Sequence, residues 1–104
     1  MKPFSEILGT LASADHIQSI ALFTPDQQAA GLIENKPGSQ GSLKVYQHLL
    51  KKHGAITPAA AQEGLELYAE HTQDAHANPG KHPNIDRLLD VISRQQTLSA
   101  TVTE

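Results

Sequence analysis

The sequence predicts an α+β fold in which helices cover a small antiparallel sheet, in the order α-β-β-α-α-α-β over residues 1–104. Three patterns predict it. Apolar residues recur at i, i+3, i+4 and i+7 in separate segments, two short extended runs flank a Pro-Asp turn, and the C-terminal residues alternate apolar and polar.

Phe4, Ile7, Leu8 and Leu11 carry the spacing of one helical stripe, and Pro3 suits the first turn of that helix. After Ser13-Ala14-Asp15, the run from Ile17 to Phe23 is short and apolar, with Ile20 and Leu22 on one face of a strand. It ends at Thr24-Pro25-Asp26, where Pro25 supplies the fixed φ that position i+1 of a type I turn requires. Ala29 to Glu34 resumes an extended pattern, so the two runs read as a hairpin.

The stretch from Asn35 to Ser42 is a dense turn-forming loop, and Ser42 is expected to cap the second helix. Leu43, Val45, Tyr46, Leu49 and Leu50 form the apolar side of that helix, which Gly54 terminates; Lys44, His48, Lys51 and Lys52 occupy the other side. Thr57 and Pro58 open a third helix as N-cap and first residue. On it Ala61, Leu65, Tyr68 and Thr72 share a face, while Glu63, Glu66 and Glu70 point away. Pro79-Gly80 breaks this helix and Pro83 restarts one in which Ile85, Leu88, Leu89 and Ile92 have the full amphipathic spacing. Leu98, Ala100 and Val102 alternate with Ser99, Thr101 and Thr103, the pattern of a half-buried strand that joins the hairpin as its third member.

At 104 residues the chain has the size of a single globular domain with one core. The absence of cysteine excludes disulfides, thiolate metal sites and cysteine nucleophiles, and fits a reducing compartment, so a cytoplasmic location is expected. Glu6 interrupts the N-terminus before any apolar run, which is not a signal peptide, and no segment approaches the ~18 apolar residues of a membrane span. A formal charge of −3 argues against nucleic-acid binding, whose affinity comes from phosphate attraction. Neither a membrane nor a nucleic acid is therefore an expected partner. The charge is also divided: no acidic residue occurs from Asn35 through Gln62 and no lysine or arginine from Gly54 through Gly80. Helices two and three, packed antiparallel, would partly compensate one another.

The loop before the second helix is the best candidate ligand site. Gly38 and Gly41 let backbone amides converge, Ser39 and Ser42 add hydroxyls, and Lys36 and Lys44 add positive charge, a combination suited to an anion. The spacing is not that of a nucleotide-binding P-loop, and the same residues also suit a loop that needs glycine for φ > 0 and serine for capping. His71 falls on the apolar side of the third helix, where a histidine is ordinarily a half-buried core residue. If the loop ending at His82 brings that ring close, with Asp74 or Asp86 nearby, an acid–base cluster forms. Asp86 has a structural role open to it as well, since a carboxylate in a first turn complements the helix dipole. No histidine pair has the i, i+4 spacing of a metal site, no motif requests a cofactor, and no serine stands in a nucleophile context. Glu63, Glu66, Glu70 and Gln73 read as a solvated face or a docking surface for a protein partner.

Three blocks stand out together: Ile33 to Leu43, Gly64-Leu65 with Ala69-Glu70-His71-Thr72, and His82-Pro83-Asn84-Ile85-Asp86-Arg87-Leu88-Leu89. They resemble a family of short bacterial proteins known only as a domain of unknown function. The resemblance implies a bacterial, cytoplasmic, stand-alone domain and brings no ligand, cofactor or catalytic residue with it.

The sequence thus leads to a non-enzymatic binding or accessory module that contacts a small anionic ligand or an unknown protein through the Lys36–Ser42 loop. The alternative is a small enzyme acting on an anionic metabolite, with His71 or His82 as acid or base. Open sheet edges add the expectation of a homodimer.

Overall fold

The structure, a computed structural model, describes residues 2–104. Its elements are α1 (Phe4–Leu8), β1 (Ser19–Phe23), β2 (Ala29–Glu34), α2 (Gln40–His53), α3 (Pro58–Leu67), α4 (Glu70–Ala77), α5 (Pro83–Arg94) and β3 (Ser99–Thr103). The strands form one antiparallel sheet in the order β2-β1-β3, with β1 in the centre. Register places Ile20 opposite both Ile33 and Val102, and Leu22 opposite both Gly31 and Ala100. The alternating tail is therefore a strand, in which Ala100 is half-buried toward the core while Val102 stays exposed. The free edge of β2 is occupied by Arg87, whose Nε donates to the Ala30 carbonyl at 3.1 Å.

Ile20, Leu22 and Ile33 meet Leu43, Tyr46 and Leu49 of α2, Ala60 and Ala61 of α3, and Ile85, Leu88 and Val91 of α5 in one buried cluster. Thr57 caps α3 as expected, accepting from the Ala60 amide at 3.0 Å, and Gly54 ends α2 at φ 81. No helix among the described residues is long and apolar enough to cross a membrane.

Three local expectations are corrected. The third predicted helix is two: Ala69, at φ 53 and ψ −120, separates α3 from α4. Sequence periodicity could not show this because alanine and glutamate are both strong helix formers. Ser42 does not cap α2, which begins two residues earlier; Ser39 stands at the cap position, its hydroxyl donating instead to the Glu34 carbonyl at 2.7 Å. Glu63 is only partly exposed and does not belong to a free solvated face. It lies between α2 and α3, where His48 Nε2 at 2.8 Å, His53 Nε2 at 2.9 Å and Lys52 Nζ at 3.0 Å all contact its carboxylate. The opposite charges of the two helices thus meet on one side chain.

Candidate functional site

The break at Ala69 turns α4 so that His71 and Asp74 lie under the loop leading into α5. A cleft of about 260 Å³ opens there, lined by Gly38, Ser42, Tyr68, His71, Lys81, His82 and the first turn of α5 at Asn84. Phe4 stacks on the Tyr68 ring at 5.3 Å between centroids and meets the His71 ring edge-on at 5.0 Å, so α1 holds both aromatic groups from behind. The His71 and His82 rings are 5.6 Å apart. Tyr46 and Arg87 fix the start of α5: the Tyr46 hydroxyl donates to the Asn84 carbonyl at 2.6 Å and Arg87 Nη1 to Asn84 Oδ1 at 2.9 Å.

Hydrogen-bond roles in the cleft follow from which groups hold protons. Burial pushes the Tyr68 phenol far above its ordinary pKa, with the nearby Tyr46 adding to the effect, so Tyr68 keeps its proton. It donates to Ser42 Oγ at 2.7 Å. The Ser42 hydroxyl accepts that bond, and its own proton has no acceptor among the described residues. Asp74 is held at about 2 by hydrogen bonds from His82 and then Lys81, so it is a carboxylate and can only accept. His82 Nε2, at 2.6 Å from Asp74 Oδ2, must therefore carry hydrogen. That fixes the neutral tautomer and leaves His82 Nδ1 as the nitrogen able to take up a proton. Lys81 Nζ lies 3.1 Å from the same carboxylate oxygen.

The chain matches the model of a family described as an uncharacterized protein conserved in bacteria (DUF2322) over residues 4–102. It belongs to that family. No curated protein and no solved structure matches it. The match spans every strand and helix that borders the cleft, and the family's description speaks of bacteria and names no chemistry.

Of the anion-site residues singled out in the sequence, Gly38 and Ser42 border the cleft and the others have different neighbours. Lys36 pairs with Glu34 at 3.2 Å, and Lys44 Nζ donates to the Leu8 carbonyl at 2.8 Å, closing the end of α1. Gly41 faces α1, where a Cβ would lie 3.2 Å from Leu8 Cδ1. Ser39 holds the chain reversal before α2. Both candidate histidines line the cleft, whereas Asp86 lies behind the loop and accepts the Gly80 amide at 2.9 Å. Asp86 thus anchors the segment that carries Lys81 and His82. Tyr68, Lys81 and Asn84 were not legible as site residues. Tyr68 looked like core, and the sequence separation of Ser42 from Lys81 hides that both border one cleft. No group of three side chains able to hold a metal ion exists among the described residues.

Proposed function

We propose that this protein is a binding module whose cleft between α2, α4 and the start of α5 takes a small anionic ligand. One observation carries the reading: two imidazoles, a lysine and a serine hydroxyl whose proton lacks an acceptor border a single recess of about 260 Å³. Recesses for drug-sized ligands begin near ~300 Å³, so a compact metabolite with a charged head suits this one better. The lack of cysteine and of a long apolar helix supports placing the module in a reducing, cytoplasmic setting.

A second reading, an acid–base enzyme acting on such a metabolite, is favoured by the Asp74–His82 couple. A carboxylate that fixes an imidazole tautomer and leaves the other nitrogen free is the arrangement a general base requires. Amide chemical-shift titration with inorganic phosphate and with succinate tests the binding reading. Saturable shifts are expected at Gly38, Ser42, His71, His82 and Asn84, and they should weaken at least several-fold in Lys81→Ala. Shifts scattered over the surface would remove the cleft as the site. Ligand altered during the titration, with loss of that change in His82→Gln, would move the conclusion to the enzyme.

A further inference from the structure

The charges around the cleft constrain what it can hold and when. Lys81 is paired with Asp74, and Arg87 lies behind Asn84. Glu70 sits beside His71 with its carboxylate on the Phe4 amide at 2.8 Å, and Asp86 holds the Gly80 amide on the other side of His82. With both imidazoles neutral, two cations therefore face three carboxylates, and no excess positive charge is left to attract an anion. Imidazole is the side chain whose charge ordinarily changes between about pH 5 and 8, and the cleft is bordered by two of them, His71 and His82.

We infer that the cleft takes the dianionic head of a phosphate monoester, and that it does so together with a proton taken up from solvent by His71 or His82. This rests on the binding reading above and names its ligand class and its control. Donors, not acceptors, dominate the recess: the Ser42 hydroxyl, the Lys81 ammonium and the ring nitrogens of His71 and His82. The Asn84 amide adds to them, lying in the first turn of α5 where backbone N–H groups lack helical partners. Such a set matches the three terminal oxygens and double charge of a phosphoryl group better than the two oxygens of a carboxylate. His82 Nδ1 receives the proton without disturbing its neighbours, since Nε2 already donates to Asp74 and goes on doing so. The ring that turns positive is thereby already oriented.

Calorimetric titration of the full chain with sulfate, in paired buffers of different ionisation enthalpy from pH 5.5 to 8, isolates the protein's share, because sulfate keeps both charges over that range. Sulfate affinity is expected to fall roughly tenfold per pH unit on the alkaline side for each coupled proton, with net proton uptake in the paired buffers. The Asp74→Asn variant frees Lys81 and removes a negative charge, so it should bind sulfate more tightly at pH 8. His71→Gln combined with His82→Gln should abolish proton uptake. Glycerol 3-phosphate should bind at least about tenfold more tightly than succinate of equal charge. Saturable sulfate binding with the same affinity at pH 6 and 8 and no proton uptake would overturn the coupling and leave the binding reading standing. Succinate binding the tighter would overturn the ligand class. If sulfate, phosphate and succinate all fail to bind at any pH, the binding reading itself falls.

Discussion

A glycine inside a helix is ordinarily a liability, and Gly64 shows what can outweigh it. Replacing glycine by alanine in a helix interior gains about 1 kcal/mol from propensity. A Cβ at Gly64, however, would lie 2.7 Å from Leu88 Cδ1 and 2.9 Å from Leu49 Cδ1. Leu49 and Leu88 are fully buried, so neither can swing into solvent to make room. Overpacking of this kind costs about 1–3 kcal/mol, enough to exceed the propensity gain. Gly64→Ala is therefore expected to lower stability by about 1 kcal/mol, read as a lower urea midpoint at unchanged m-value. A raised midpoint would mean that α3 and α5 can part without loss. Sequence spacing cannot show which leucines press on Gly64, because both come from other helices.

At the scale of elements, the same blindness explains the one helix that was read as continuous. No residue from Pro58 to Ala77 marks a break, yet Ala69 has φ 53 and ψ −120, a region that only glycine occupies without strain. The strain persists because Tyr68 on one side is buried and tied to Ser42, while Glu70 and His71 on the other are held by the Phe4 amide and ring. Strain of this sort costs about 1–3 kcal/mol, against about 0.8 kcal/mol gained by burying the Ala69 methyl. Substitutions should therefore rank Gly equal to or above Ala, with Val lower than Ala by at least about 2 kcal/mol. An ordinary helical position would instead place Gly last. Thermal unfolding of Ala69→Gly and Ala69→Val distinguishes the two orders, and finding glycine clearly the worst would show that the chain there is helical. The other boundaries were legible because they rest on local chemistry: Thr57 and Pro58 at a start, Gly54 at an end, Pro83 at a restart.

Across the whole molecule, period-two and period-3.6 patterns sufficed to recover the sheet and its cover, since each apolar stripe needs only to find the common interior. The cleft was half legible, because its histidines and Ser42 could be named but their meeting depends on the turn at Ala69. Electrostatics joins the distant parts in a measurable way. Burial raises the Glu63 pKa, but hydrogen bonds from His53, His48 and Lys52 outweigh it and hold the group at about 2, below its ordinary 4.5. Asp74, ordinarily 3.8, is likewise held at about 2 by His82 and Lys81. Both folded values lie below the unfolded ones, so between them the unfolded chain binds more protons and stability must rise with pH. The stabilisation is complete above about pH 4.5 and is lost as the pH falls toward about 2. Glu63 is the less exposed of the two, 21% against 36%, so solvent screens its partners less and it should carry the larger share. Glu63→Gln is accordingly expected to be less stable than the parent at pH 6, to converge with it near pH 2, and to show the shallower slope between. Asp74→Asn should do the same with a smaller gap. Chemical denaturation from pH 2.5 to 6 measures all three curves. Parallel curves for parent and Glu63→Gln would mean that the clasp of His48, Lys52 and His53 on this carboxylate contributes nothing to holding α2 against α3.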